Sequence, residues 1–321
     1  AGSIHPRQVD TGSRIAALRQ PGERGSVATL TLDPSETFVV STSSDGEVRA
    51  WNLESETVAW RIGHSERADG IHFHPTDDVL LSYSEDGTCQ IWDLSTGTSG
   101  KIISGGEAAQ SWCEWTPDGA GVVFSPFDGS IELHALDDKP PIRADALEAP
   151  IIDVAVAKDR EAIAAASVNN DVLYWPNGLE NDGILLGQMP DWLTELSFMT
   201  SGQDLVAASF DGTVSIWSLD APYRKTNLDW PKEPIGRANL STDGDSILLF
   251  TDSGKALLYS LITQTLVDQF EPGRAVRNAI EFFSDGKRVV VAGEEATAWI
   301  WKPDTQAVEL SGHASWISSL A

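Results

Sequence analysis

One eleven-residue segment recurs along this chain at a nearly constant interval, and that interval limits the fold more than any other feature. Ser84-Glu85-Asp86-Gly87-Thr88-Cys89-Gln90-Ile91-Trp92-Asp93-Leu94 returns at residues 43–53 and again at 209–219. Weaker copies place His134, Trp175, Tyr259 and Trp301 where Trp92 stands, and Arg7 fits the same slot near the start. The slot positions 7, 51, 92, 134, 175, 217, 259 and 301 are separated by 44, 41, 42, 41, 42, 42 and 42 residues. A period of this size marks units that cannot bury an apolar face alone and must stack on their neighbours.

Each unit reads as four short strands. In the second, an apolar alternation passes through Ile71 and Phe73 to the turn His74-Pro75-Thr76-Asp77-Asp78. Residues 79–83 form a nearly continuous apolar run, the mark of a strand covered on both faces. Asp86-Gly87 predicts a tight hairpin, because glycine accepts a positive φ without penalty. Cys89 and Ile91 then alternate with polar residues into Trp92, and Ser95-Thr96-Gly97 turns the chain into a fourth strand. No helical periodicity of any length is present. Four strands per unit of about 42 residues predict an all-β chain of radially arranged sheets.

Gly63-His64 followed by Trp92-Asp93 is the point where the chain resembles a known family, the WD-repeat β-propellers. The resemblance covers essentially the whole chain and implies four-stranded blades. It also implies a hydrogen-bonded set within a blade: His64, Ser82 or Ser84 (Ser84 being preferred), Asp86 and Trp92. Elsewhere the set is eroded. Asp45 with Trp51 and Asp211 with Trp217 keep the turn-to-tryptophan pair without Gly-His, Asn169 precedes Trp175, and His134 replaces the tryptophan after Asp128. Seven repeats are complete. Gly312-His313 begins another that stops, and the N-terminus begins at the hairpin of a repeat, so the blade number is seven or eight. Residues 1–321 are expected to form one propeller domain, whole or as a piece of a longer protein.

The chain of 321 residues carries 22 basic and 48 acidic side chains, a formal charge of −26. Binding a nucleic-acid backbone needs a basic footprint, and an anionic membrane needs the same, so both are excluded as expectations. No apolar run reaches the length of a membrane span. No signal peptide is visible at the start, and the cytoplasm is the favoured compartment. A basic protein or peptide is attracted by such a field, although an acidic surface also serves solubility. The two cysteines do not make a disulfide framework. Cys89 occupies a slot held by Val48, Ile131 and Val214, and Cys113 one held by Leu30 and Ile71, so both read as small core hydrophobes.

No nucleophile elbow, zinc-binding helix, phosphate loop or paired-cysteine motif occurs. His72 and His74 alternate on one strand, with no further metal ligand indicated. No cofactor is expected, and the chain reads as no enzyme. Seven tryptophans lie outside the repeat slot: Trp60, Trp112, Trp115, Trp192, Trp230, Trp299 and Trp316. By the resemblance, the loop leading into the first strand and the Asp-Gly hairpin share one rim, the face commonly used for partners. Trp192 and Trp316 stand three to four residues beyond the Gly-His position on such a loop, and Phe127 and Phe210 sit at hairpin tips. With Arg67 and Glu85 as its polar part, this rim predicts a non-catalytic scaffold for protein or peptide partners. The competing reading is a propeller that binds a small molecule or cation in an acidic channel. It is seeded by Glu114, Glu195 and Glu281, read as one repeat-relative position, with Asp153 and Asn239 nearby in register.

Overall fold

The short strands separated by turn residues assemble into seven four-stranded sheets, each built from four consecutive strands of the computed structural model. The structure describes residues 27–33, 37–55, 57–104, 111–137, 139–145, 149–158, 161–220, 222–230, 232–271, 279–283, 287–292 and 298–310. Blades 1 to 7 run over residues 27–63, 68–104, 111–145, 151–188, 193–227, 235–270 and 279–310. No helix occurs among the described residues, and thus none long and apolar enough to cross a membrane. The partial repeats around Arg7 and Gly312-His313, including Trp316, lie outside the described residues.

Sequence pattern and strand position agree. The second strand of a blade is covered on both faces: every residue of Gly121–Pro126 and of Ile163–Ser167 is buried. The fourth strand is an edge, and in Thr57–Gly63 partly buried residues alternate with exposed ones. The hairpin between second and third strands turns on glycine. Gly87 has φ +78° and Gly212 φ +89°, and a Cβ on Gly212 would lie 2.4 Å from the Glu233 carbonyl oxygen. Glycine is therefore required there twice over, for the turn and for the close approach of the next blade's lead-in loop.

By contact, the chain divides into two compact units. Up to residue 154, with 178–183, the described residues form the first; 155–177 and 184–310 form the second. In the first unit the core lies between facing blades: Val40, Val48 and Ala50 pack against Ala68, Ile71, Leu80 and Trp92. Leu81, Tyr83, Cys89 and Ile91 likewise pack against Cys113, Trp115, Val122 and Phe124. In the second unit Val206, Val214 and Ile216 meet Ile235, Ile247 and Tyr259, while Leu248, Phe250 and Leu258 meet Ile280, Val289 and Trp301.

One expectation is corrected here. Cys89 and Cys113 are fully buried, as core hydrophobes are, but they are joined in a disulfide, with Cα atoms 6.7 Å apart. Cys89 lies on the third strand of blade 2 (Thr88–Asp93) and Cys113 on the first strand of blade 3 (Ser111–Trp115), and the two strands face the same inter-blade core. Reading each cysteine against its own repeat slot identifies its burial. It does not reveal that the two slots face each other.

Candidate partner-binding rim

The rim is assembled by the same backbone bonds in several blades. In blade 2 the Glu85 amide donates to the Arg67 carbonyl at 3.0 Å. In blade 5 the Phe210 amide donates to the Trp192 carbonyl at 2.8 Å, and in blade 6 the Asp252 amide to the Pro234 carbonyl at 2.8 Å. Each bond clips a hairpin tip to the loop leading into the first strand of its own blade. The Ile235 amide then donates to the Phe210 carbonyl at 3.0 Å, fixing that tip from the neighbouring blade as well.

On this frame the side chains differ. Trp192 is 67% exposed and Phe210 40% exposed, at positions joined by the backbone bond just described. Phe127, in the first unit, is 43% exposed at the tip between the strands Gly121–Pro126 and Ser130–Ala135. Arg67 and Glu85 face each other across 3.9 Å, and Arg67 Nε also holds Asp69 Oδ1 at 3.0 Å. Among the described tryptophans outside the repeat slot, Trp192 alone is exposed. The indole N–H of Trp60 donates to the Leu94 carbonyl, that of Trp115 to His72 and that of Trp230 to Gly212, so these three are structural.

Beneath the rim, blade 2 carries a chain of side-chain bonds. Trp92 Nε1 donates to Ser82 Oγ at 2.8 Å, and Ser82 Oγ lies 2.8 Å from His64 Nε2. His64 Nδ1 is 3.2 Å from Asp86 Oδ2, which also accepts from the Ser65 amide at 3.0 Å. With neutral His64 carrying its proton on Nδ1, Ser82 accepts from Trp92 and donates to His64 Nε2 while Nδ1 donates to Asp86. Burial lowers the His64 pKa, against the opposing pull of Asp86. Burial alone would raise the Asp86 pKa; hydrogen bonds led by the Thr88 hydroxyl outweigh it and hold the carboxyl below its ordinary value.

The structure thus puts Ser82 in the chain, and Ser84 elsewhere. Ser84 Oγ donates to the Arg67 carbonyl at 2.8 Å and accepts from the Asp86 amide at 3.1 Å, tying the hairpin to the rim. Blade 1 repeats the tryptophan end of the chain: Trp51 Nε1 donates to Ser41 Oγ at 3.0 Å, while Asp45 meets Ser43 and Arg49. In blade 5 Asp211 holds Thr213 but does not reach Trp217, whose buried Nε1 has no partner. The register explains this. Ser82 stands two residues past the partner of Trp92, and the corresponding residue in blade 5 is Ala207. Blade 4 has Ala165 there, and Trp175 Nε1 is likewise unpaired.

Blade 3 substitutes a different network for the missing tryptophan. His134 Nε2 lies 2.7 Å from Glu132 Oε2, and Arg143 bridges Glu132, Asp128 and Asp145 at 2.8, 2.8 and 3.1 Å. His72 and His74 do not converge. His74 Nε2 lies 2.9 Å from the Gly119 carbonyl oxygen, and its Nδ1 accepts the Asp77 amide, whereas His72 stacks on Tyr83.

The acidic first-strand positions are also redistributed. Glu114 pairs with Val123 and Glu195 with Ala208, but Ser197, not Glu195, occupies the Glu114 register in blade 5. Asn239 and Glu281 share that register in blades 6 and 7, and Asn239 Nδ2 donates to Glu281 Oε2 at 3.4 Å. Pairing runs without a break from Glu195 to Phe198, so Glu195 simply stands two residues before the Glu114 register.

Repeated four-stranded blades with a Trp–Ser–His–Asp chain define a β-propeller of repeat type. The family model for the WD domain, G-beta repeat, matches residues 13–52, 57–93 and 183–218. The chain thus carries WD-type repeats at these three positions, and its four-stranded sheets are those of a β-propeller. The C-terminal WD40 domain of Sif2 is similar to it with a TM-score of 0.77, at 18% identity over 91% of this chain and 86% of that one. The computationally designed Ika8 protein is similar with a TM-score of 0.76, at 19% identity over 94% and 90%. Among relatives in sequence, the target of rapamycin complex subunit wat1 of Schizosaccharomyces pombe is 24% identical over 111 residues, 34% of this chain and 35% of the relative. Autophagy-related protein 16 of Arabidopsis thaliana is 22% identical over 163 residues, 50% of this chain and 31% of the relative. Pre-mRNA-processing factor 17 of Saccharomyces cerevisiae is 26% identical over 110 residues, 33% of this chain and 24% of the relative. The matches thus span about a third or less of each of these relatives.

Proposed function

We propose that this propeller is a non-catalytic scaffold, a single domain that binds protein or peptide partners on the rim of hairpin tips and lead-in loops. The observation that carries the reading is the pair Trp192 and Phe210. Two large aromatic side chains stand exposed on backbone held by bonds from two blades, so little ordering entropy remains to be lost on binding. Phe127 offers a third exposed ring on its own unit. The relatives support the class of role, wat1 being by name a subunit of a complex. The excess of 48 acidic over 22 basic residues favours a partner with basic residues around its apolar contact.

The test compares affinity capture by the wild-type chain with capture by Trp192→Ala, Phe210→Ser and Phe127→Ser, scored by quantitative mass spectrometry. Proteins retained by the wild type and lost from a rim variant with unchanged thermal unfolding support the rim. An identical retained set from all four chains refutes it.

A further inference from the structure

Within the first unit, blades 2 and 3 are joined both by reversible contacts and by a covalent bond. Leu81, Tyr83 and Ile91 of blade 2 lie against Trp115, Val122 and Phe124 of blade 3. Three side chains add bonds across the same junction. Trp115 Nε1 donates to the His72 carbonyl at 3.1 Å, Lys101 Nζ donates to the Ala135 carbonyl at 2.7 Å, and His74 Nε2 lies 2.9 Å from the Gly119 carbonyl oxygen. The covalent link is the Cys89–Cys113 disulfide. Each cysteine is anchored in its own sheet. Cys89 pairs with Tyr83 on one side and Ile103 on the other, and Cys113 pairs with Phe124. Both are fully buried, and the chain has no third cysteine.

Thiol–disulfide exchange requires an outside sulfur to reach one of the two in the bond. Both sulfurs here are enclosed in the inter-blade core, so no outside thiol or disulfide reaches them while the blades are packed. Exchange then belongs to a state in which the first strand of blade 3 has parted from blade 2. In that state one cysteine thiol loses its proton and attacks a sulfur of a small disulfide such as glutathione disulfide. A mixed disulfide forms, and one thiolate leaves and takes up a proton. The second cysteine, deprotonated in turn, attacks the protein sulfur of the mixed disulfide, closing the bond and releasing the second thiol. Two protein thiols are oxidised and one outside disulfide is reduced to two thiols. We propose that the Cys89–Cys113 bond is a redox latch on the junction of blades 2 and 3. It closes by exchange as the blades come together, is sealed by their packing, and reopens to a reductant only when they part. The coupling runs both ways. A bond closing a loop with a sequence separation of 24 favours the folded over the unfolded chain roughly a hundredfold. The folded chain therefore favours the bond over two thiols by the same factor.

The test follows reduction of the wild-type chain by dithiothreitol in urea kept below the unfolding transition. Free thiols are alkylated with iodoacetamide at timed intervals and counted by mass spectrometry, with reduction of glutathione disulfide as the control for the chemistry itself. The expected reduction rate, relative to that control, rises about tenfold or more across this urea range, because denaturant populates the parted state. It also levels off at high dithiothreitol, where parting of the blades becomes the slow step. A relative rate that stays within about twofold at every urea concentration shows that the sulfurs are reached in the packed state, and overturns the latch. The coupling is measured by equilibration with glutathione and glutathione disulfide, approached from the oxidised and from the reduced chain. The ratio of disulfide to dithiol is expected to be roughly a hundredfold larger in the folded chain than in concentrated urea. Two ratios within about threefold of each other overturn the proposal equally.

Discussion

Removing the hydroxyl at Ser82 isolates the role of the Trp–Ser–His–Asp chain. Ser82 is fully buried and Trp92 is 5% exposed, so water does not replace the hydroxyl in Ser82→Ala. The variant leaves two polar atoms, Trp92 Nε1 and His64 Nε2, without the partner each holds at 2.8 Å. An orphaned buried donor or acceptor costs about 1–3 kcal/mol, partly offset because a hydroxyl is no longer desolvated. A net loss of about 2 kcal/mol follows. At roughly 2 cal/mol/K of unfolding entropy per residue, that lowers the melting temperature of a chain this long by about 3 °C. Urea unfolding followed by far-UV circular dichroism measures the loss. A cycle with Trp92→Phe then isolates the Trp92–Ser82 bond, with an expected coupling of about 1 kcal/mol. The reasoning fails if Ser82→Ala costs less than about 0.5 kcal/mol, the scale of an ordinary surface substitution. It fails equally if the two losses simply add.

Ala207→Ser is the reciprocal test: it offers Trp217 Nε1 the acceptor it lacks and should stabilise by up to about 1 kcal/mol in the same urea assay, whereas Ala207→Gly should not. Cutting the disulfide by Cys89→Ser with Cys113→Ser should cost about 3 kcal/mol, from the closure of a loop with a sequence separation of 24; Ellman titration of the unfolded wild type should find no free thiol without reductant. Glu114 is raised in the folded state, so its protonated form is favoured there, and the stability it confers is lost as pH rises from its ordinary value through about 8. Glu114→Gln removes this dependence and should gain on wild type by a few kcal/mol between pH 4 and pH 9, read from paired urea curves. His64 and Asp86 work in the other direction, since both are lowered by folding; stability should fall below pH 6.5 for the histidine and further below pH 4 for the aspartate, and Asp86→Asn should flatten the acid limb.

The blades were legible because strand count, turn position and apolar pattern all repeat at one period, so each repeat tests the reading of the others. What the period does not encode is which side chains meet across blades. Cys89 and Cys113 have ordinary slots in separate repeats, and only the stacking of blade 2 on blade 3 brings them together. The serine of the hydrogen-bonded chain was similarly undetermined. Ser82 and Ser84 alternate on one strand and point to the same face, and what separates them is pairing register: Ser82 lies two residues past the partner of Trp92, Ser84 at the hairpin. Glu195 was misassigned because it stands 22 residues before its slot residue Trp217, whereas Glu114 stands 20 before His134; the pairing register puts Ser197 at the equivalent place.

The rim shows how one frame supports different surfaces. The bonds that clip hairpin to lead-in loop in blades 2, 5 and 6 run through backbone atoms alone, and the residues joined are Arg67 with Glu85, Trp192 with Phe210, and Pro234 with Asp252. An ion pair, an aromatic pair and a proline with an aspartate can exchange places without changing the clip. Erosion of the side-chain chain beneath is tolerated for the same reason: blade 5 has lost its serine and leaves Trp217 Nε1 unpaired, yet presents Trp192 and Phe210 on the same backbone geometry as blade 2. The stability supplied by Ser82, His64 and Asp86 is therefore separable from recognition at the tips. Ser82→Ala should lower the melting temperature while leaving capture through Trp192 and Phe210 intact below that temperature. Loss of capture from the folded Ser82→Ala chain would show that the network positions the rim as well as holding its blade.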